Sequence, residues 1–290
     1  VSRSYLQSDG NVKKISAHIT KKVADKLAEM FKKDRKDFEE KWEDLQIFVQ
    51  YGSLSEDKFA EKAKSFSLLK SLDGAYHTIE EYKEKIAPLQ TNKDGKVIVL
   101  YSNDTEGQFS FIKKAKDRGY DVVELAGPLV PHWIAKLENE IENLSFARVD
   151  ADTLDKLIQK TDEIPSKLSK EQEELLQPVF EGVVNQQKFT VKFESMSESD
   201  APIIITQPEF IRRMMEQQKM GGGGMFGAFP EMYNMHVNAN HPAIQTVLSK
   251  PAEEQASVAK QLTDLALLAQ GMLKGEALDS FIERNVNQIV

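Results

Sequence analysis

The segment from Val97 to Val149 constrains the fold most strongly, because apolar runs typical of strands alternate in it with amphipathic stretches typical of helices. Its first run, Val97–Tyr101, is apolar throughout, which is typical of a strand buried on both faces. The pattern predicts strands at residues 97–101, 120–125 and 146–149 and helices at residues 107–118 and 130–141. Strands joined by helices in this order form a parallel layer with right-handed crossovers, so we expect a small α/β layer.

Helical patterns dominate the chain before this segment. Apolar residues at helical spacing predict helices at residues 18–33, 36–50, 55–70 and 79–87. Gly52 and Ser53 are expected to interrupt the helical region. Thr78 and Glu81 have the spacing of a capping box, which predicts that the last of these helices begins after Thr78.

After the α/β segment the pattern becomes mixed. It predicts helices at residues 152–160 and 169–184, strands at 188–194 and 201–206 that pair antiparallel through a turn at 197–200, and helices from residue 242 to the end. The predicted fold class is therefore mixed α+β. A helical segment and a small parallel α/β layer are followed by an α+β domain with a short antiparallel sheet and C-terminal dimerisation helices.

The C-terminal helices carry apolar residues on more than one face. Two helices of one chain cannot bury all of them, so we expect a symmetric homodimer formed by helices between residues 252 and 290. The candidates for buried contacts between the two copies are Leu262, Leu265, Leu278 and Ile282.

A methionine- and glycine-rich stretch from Met214 to Met235 holds six of the nine methionines and four consecutive glycines. Each glycine costs a helix roughly 1 kcal/mol relative to alanine, so the centre of this stretch cannot hold a stable helix by itself. Methionine is flexible and adapts to many shapes, which suits a binding surface without a fixed partner. The alternative is a loop between core helices.

Composition excludes several classes of function. The net charge of −8 argues against nucleic-acid binding, and no apolar run is long enough to span a membrane. The chain has no cysteine, which rules out disulfides and thiol catalysis and is compatible with a reducing cytoplasm, where we expect the protein to be located.

The sequence also lacks the motifs of common cofactor and metal sites. The residues after Val97–Tyr101 form neither a dinucleotide-binding turn nor a phosphate-binding loop. His236 and His241 have no carboxylate at ligand spacing, so no metal site is predicted. Since no acid–base pair stands out either, this stretch of chain is not predicted to be an enzyme by itself.

Three local patterns together resemble the heat-shock protein 90 chaperone family. Ser2-Arg3-Ser4-Tyr5-Leu6-Gln7 is similar to the catalytic loop of that family's middle domain. Pro131-His132-Trp133-Ile134 resembles the tryptophan-bearing helix of bacterial members, and Val237-Asn238-Ala239-Asn240-His241-Pro242 resembles the turn before the dimerisation helices. The chain ends without the acidic tail of the eukaryotic cytosolic members, which favours a bacterial member.

The resemblance implies a domain order. Residues 1–150 would be the C-terminal part of the middle domain, with the end of its large subdomain at 1–35, a helical connector at 36–90 and a small α/β subdomain at 91–150. Residues 151–170 would be a linker, and residues 171–290 the C-terminal dimerisation domain. The nucleotide-binding domain would precede Val1, so no cofactor is expected here, while ATP and Mg are implied for the full-length protein.

The resemblance also implies functional residues. Arg3 would reach the γ-phosphate of ATP and Gln7 would help to position its loop, and a guanidinium is suited to stabilise charge on a transferring phosphoryl group. Non-native client proteins would contact Trp133 and the following residues of the methionine-rich stretch: Met214, Met215, Met220, Met225, Phe226 and Phe229.

For Trp133, packing in the core of its own helix is the alternative. For the whole chain, the alternatives are a dimeric structural adaptor without client binding and a small-molecule-binding α/β enzyme domain.

Overall fold

The computed structural model describes residues 10–160, 164–220 and 231–289. The described residues form two compact units. One contains the residues up to Asn103 together with Ala115–Phe146, and the other contains Asp104–Lys114 and the residues from Ala147 onward. None of the described helices is long and apolar enough to cross a membrane. The division into middle domain, linker and dimerisation domain stays a prediction.

Four helices begin the first unit: α1 (Gly10–Lys33), α2 (Arg35–Glu40), α3 (Trp42–Ser55) and α4 (Asp57–Ala63). They enclose an aromatic core that includes Phe38, Trp42, Phe59 and Phe66. The expected interruption at Gly52 and Ser53 is wrong, because α3 continues through both residues. A Cβ atom at Gly52 would lie 2.8 Å from the ring of Phe59, so glycine is present here to let two helices approach closely.

The first unit also contains a five-stranded sheet. This stretch of the chain contains β1 (Leu68–Ser71), β2 (Tyr76–Thr78), α5 (Ile79–Gln90), β3 (Val97–Ser102), α6 (Phe109–Asp117), β4 (Val122–Glu124), α7 (Val130–Glu140) and β5 (Leu144–Arg148). The first six residues of α6 and the last two of β5 belong to the second unit. The strand order is β2-β1-β4-β3-β5, and β3 pairs parallel with β4 as expected.

The sheet is mixed rather than entirely parallel, because β1 pairs antiparallel with both β2 and β4. The sequence predicted helix for residues 55–70, but helix α4 ends at Ala63 and the buried pair Leu68–Leu69 is in a strand. A short apolar run fits a buried helix and a buried strand equally well, and only its neighbours in the fold distinguish the two.

The capping box at the start of α5 is confirmed. The Thr78 hydroxyl accepts the Glu81 N–H at 3.3 Å, and the Glu81 carboxylate accepts the Thr78 N–H at 2.8 Å. Arg35 donates to both oxygens of that carboxylate, at 2.6 and 2.7 Å. The Arg35 guanidinium, supported by the hydrogen bonds from Thr78, lowers the pKa of Glu81 to about 2, although burial of the carboxyl opposes this.

The second unit combines helices with a three-stranded sheet. Its elements are α8 (Leu154–Leu157), α9 (Lys170–Glu181), β6 (Phe189–Glu194), β7 (Ile203–Thr206), α10 (Glu209–Met220), β8 (Tyr233–Asn238), α11 (Pro242–Ser249), α12 (Ala252–Ala269) and α13 (Glu276–Asn287). The core between the sheet and its helices contains Phe180 of α9, Met235 and Val237 of β8, and Ile244 of α11.

The predicted direct pairing of residues 188–194 with 201–206 is wrong. The strand order is β6-β8-β7, so β8 lies between them, parallel to β6 and antiparallel to β7. Met235 and Val237 of β8 are fully buried, and their apolar side chains favour the central position over an exposed edge. The sequence analysis did not predict β8, whose first residues, Tyr233 to Met235, are the end of the methionine-rich stretch.

Candidate functional surfaces

Helix α10 contains the start of the methionine-rich stretch, and β8 contains its last residues. Phe210 in its first turn is 71% exposed, and Met214 and Met215 are half-buried. The helix start is fixed by Glu209, whose carboxylate pairs with Arg212 and, at 2.7 Å, with Arg213. Burial would raise the pKa of Glu209, but the two guanidinium groups outweigh it and hold the pKa below its ordinary value.

The other residues predicted to contact clients are only partly within the described structure. The backbone of Met220 ends α10, but its side chain is outside the described part, and Met225, Phe226 and Phe229 lie outside the described residues altogether. Met232, which follows them, is 41% exposed. Phe210 and Met232 are therefore accessible, as a binding surface requires, whereas Met235 at the end of the stretch is fully buried.

Trp133 lies in the core of the first unit and is 1% exposed. Helix α7 begins with a proline in its first turn, and Trp133 packs with Ile134 and Leu137 of the same helix in the apolar cluster of the five-stranded sheet. This position favours the core-packing alternative for Trp133.

Ion pairs lie at the surface next to the buried Trp133 side chain. Lys136 lies 2.8 Å from Asp57, and Lys64 lies 3.0 Å from Glu140, so charged pairs connect α7 with the region of α4. The cavity beside the indole measures about 10 Å³, which is too small for more than about one water molecule. As it stands, the site has no room for a client side chain.

The last two helices present apolar side chains to solvent. Of the four residues predicted for the dimer interface, Leu265 and Ile282 are exposed, whereas Leu262 and Leu278 are half-buried within the chain. Leu262 packs against the core of the second unit. Sequence reasoning did not select Leu268 and Val286, which are exposed next to Leu265 and Ile282 on the same two helices.

Three potential metal ligands come together in the second unit. Asp152, Glu194 and His236 have donor atoms within 4.8 Å of one another. His236 is fully buried in β8, with its Nδ1 atom 2.7 Å from Glu194 Oε1. Its Nε2 atom is 2.8 Å from Thr206 Oγ1 and 3.5 Å from Asp152 Oδ1.

This geometry fits a hydrogen-bonded imidazole better than a metal site. The two carboxylates face different ring nitrogens, and Lys156 already supplies a cation to Glu194. Burial opposes ionisation of Glu194, but His236 and Lys156 outweigh it, so the pKa of the carboxyl lies below its ordinary value. Thr206, His236 and Glu194 have the order of a nucleophile triad, but Thr206 is buried and no substrate can reach it.

In the turn before α11, the side chains of Asn240 and His241 form hydrogen bonds that hold the backbone in place. Asn240 accepts the Lys167 N–H at 2.7 Å and donates to the carbonyl oxygens of Pro165 and Met196 at 3.1 and 3.0 Å. His241 caps the helix, since its Nδ1 accepts the Ala243 N–H at 3.0 Å. Burial lowers the pKa of His241, which favours the neutral ring that this cap needs.

Neither the His236 network nor the role of Asn240 was predicted, because their partners are distant in the sequence. Arg3 and Gln7 lie outside the described residues.

The described residues form an α/β layer and an α+β unit whose helices expose apolar side chains. No nucleotide-binding site is recognised among these residues. Comparison with known proteins identifies this architecture: the chain belongs to the Hsp90 protein family, whose model matches residues 1–285. The resemblance seen in the three sequence motifs is thereby confirmed.

Individual relatives agree with the family match. The chain is 46% identical over 269 residues to Chaperone protein HtpG of Porphyromonas gingivalis, which covers 91% of this chain and 39% of that protein. It is 36% identical over 358 residues to Chaperone protein HtpG of Bacteroides thetaiotaomicron, covering 100% of this chain and 53% of the relative. Chaperone protein HtpG of Bdellovibrio bacteriovorus is 26% identical over 283 residues. The chain thus spans about half, or less, of the length of these relatives.

Proposed function

We propose that this chain is part of an ATP-dependent molecular chaperone that binds partly folded client proteins and dimerises through its C-terminal helices. The observation that carries the proposal is the exposure of large apolar side chains on α10, α12 and α13 in a chain of the Hsp90 family. Side chains of similar exposure also occur on α1 and α3, so the assignment to α10, α12 and α13 rests on the exposure together with the family membership.

Client binding is assigned to the methionine-rich segment. Met214 and Met215 lie one turn after the exposed Phe210 on α10, and Met220, Met225, Phe226 and Phe229 follow them along the chain. Flexible thioethers beside an exposed aromatic ring offer apolar contact without a fixed shape, which suits partners of many sequences. Trp133 is buried in the core of the first unit, so we assign the indole a primarily structural role.

The client proposal is tested by an aggregation assay. The triple variant Phe210→Ser/Met214→Ser/Met215→Ser should suppress aggregation of a heat-unfolded model protein less well than the unmodified chain, with its melting temperature nearly unchanged. Leu175→Ser is a matched control, because Leu175 is 55% exposed on α9, away from this segment in the sequence. Equal suppression by the triple variant and the control would favour the adaptor alternative.

Dimerisation is assigned to α12 and α13. Leu265, Leu268, Ile282 and Val286 are each about half exposed and would be covered by the same residues of a second copy. Sedimentation equilibrium at micromolar concentration should give the mass of a dimer, and Ile282→Asp should give a folded monomer. Ile47→Asp is the control, since Ile47 has similar exposure on α3. A folded monomer without any substitution would contradict this part of the proposal.

ATP turnover is assigned to the whole protein and not to this chain. Arg3, positioned by Gln7, would act on ATP and Mg held by another domain, as the family resemblance implies. The isolated chain should therefore show no ATPase activity. Slight turnover on adding the nucleotide-binding domain of a relative should be lost in Arg3→Ala, and ATP hydrolysis by the chain alone would contradict the assignment.

The proposal includes no nucleic-acid or membrane partner and a cytoplasmic location. It is supported by the net charge of −8 and by a cysteine-free composition that is compatible with a reducing compartment.

A further inference from the structure

The contact between α12 and α13 is built around a buried charge. Asp264 of α12 has no exposed surface, and both of its carboxylate oxygens are paired. Oδ1 pairs with Lys260, one turn earlier on the same helix, and Oδ2 pairs with Arg284 of α13. A buried carboxylate is tolerated only where cations and hydrogen bonds compensate its lost hydration. The position of Arg284 is therefore dictated by Asp264.

A second polar contact and one aromatic side chain complete the junction. Gln261 of α12 donates to the side-chain oxygen of Asn285 at 3.0 Å. Phe281 is buried, and the Arg284 guanidinium lies 5.9 Å from the centre of its ring. The other apolar side chains of α13 bury little within the chain, since Leu278 is half-buried and Ile282 is 50% exposed. Helix α13 thus has a small apolar anchor and two directional polar contacts.

Because side chains follow the period of the α-helix, this junction also fixes the direction in which the side chains of α13 point. Successive residues of an α-helix are rotated by about 100°, so side chains two positions apart point to nearly opposite faces. Arg284 is two residues from both Ile282 and Val286. When Arg284 is held against Asp264, Ile282 and Val286 must point away from α12, and both are exposed.

We propose that Asp264 and Arg284 are positioning residues for dimerisation. The pair fixes the rotation and the angle of α13 on α12, so that Ile282 and Val286 form an outward-facing apolar surface for a second copy of the chain. This inference rests on the proposed dimerisation. It adds that a polar pair within each protomer, and not apolar contact alone, determines whether that surface is correctly assembled.

The test compares dimer affinity with protomer stability in four variants of the 290-residue chain. Arg284→Gln and Asp264→Asn should each raise the dimer dissociation constant about tenfold or more, while Arg284→Lys, which keeps the charge, should have a smaller effect. Asp264→Leu/Arg284→Leu replaces the pair with apolar side chains and should restore the melting temperature without restoring the dimer. Lys250→Gln is the control, because Lys250 forms an exposed ion pair with Glu254 next to the start of α12.

The outcomes separate this inference from the dimer proposal. If the unmodified chain is a monomer, the dimer proposal fails first. A second outcome is that Ile282→Asp dissociates the dimer, whereas Arg284→Gln and Asp264→Asn leave the dissociation constant unchanged. In that case the positioning role is wrong, but the proposed dimer surface is supported. If the double leucine variant dimerises like the unmodified chain, apolar packing suffices and the positioning role is also overturned. The double variant keeps the test valid even if single substitutions unfold α13.

Discussion

Trp133 offers the most direct way to distinguish a core residue from a binding residue in this chain. The indole is 1% exposed and packs in the apolar cluster of the five-stranded sheet. Truncating a buried tryptophan to alanine typically costs about 3–5 kcal/mol, from lost burial and from the cavity that remains. Since the whole stability of a domain is about 5–15 kcal/mol, Trp133→Ala should unfold the first unit or lower its melting temperature severely.

The assay is urea denaturation followed by circular dichroism. Phe48→Ala is the matched control, because Phe48 is 72% exposed in the same unit and its removal should change the free energy of unfolding by less than about 0.5 kcal/mol. In the Trp42→Phe background Trp133 is the only tryptophan, and its fluorescence should resist quenching by acrylamide. A stable Trp133→Ala variant with strong quenching in the background protein and impaired client binding would refute the assignment to the core.

Three further predictions concern other sites. Arg35 lowers the pKa of Glu81 from the ordinary 4.5 to about 2, so between these two pH values the folded state binds fewer protons than the unfolded state. The stabilisation from this pair is therefore complete above the ordinary pKa and is lost as the pH falls towards 2. Denaturant titrations at pH 6 and pH 3 should therefore show a smaller acid-induced loss of stability in Glu81→Gln than in the unmodified chain, and an equal loss would contradict the pairing. Asn240→Ala leaves several buried hydrogen-bond groups unpaired and should lower the free energy of unfolding by about 2–4 kcal/mol in urea titrations, whereas a change near zero would exclude its bridging role. Gly52→Ala brings a Cβ atom to within 2.8 Å of the Phe59 ring and should cost about 1–3 kcal/mol by thermal unfolding, and an unchanged melting temperature would mean that α3 and α4 are less tightly packed than described.

Local patterns were sufficient wherever the stabilising partner lies nearby in the sequence. The capping box of Thr78 and Glu81 follows from a spacing of three residues, and the strand Val97–Tyr101 follows from an unbroken apolar run. The parallel pairing of β3 with β4 follows from the helix between them, because a helical crossover returns the chain in the same direction. Three short motifs were enough to identify the family.

The exposed apolar residues of the C-terminal helices were predicted in part. The sequence identified apolar residues in the C-terminal helices, but it could not separate Leu262, which packs in the core of its own chain, from the exposed Leu265 one turn later. Both are apolar and both lie on α12. Which of them is available to a second copy depends on where the rest of the chain packs.

The sequence by itself determined the helices with strong periodicity, the parallel pair of strands and the family, because each depends on residues within a few turns or on a recurring motif. Tertiary structure decided the order of the strands in the second unit, where β8 enters between β6 and β7. It also decided the burial of Trp133 and the pairing of Asp264 with Arg284. The physical reason is the same in each case: burial, strand order and ion pairing depend on groups that are distant in sequence, and only the folded chain brings them together.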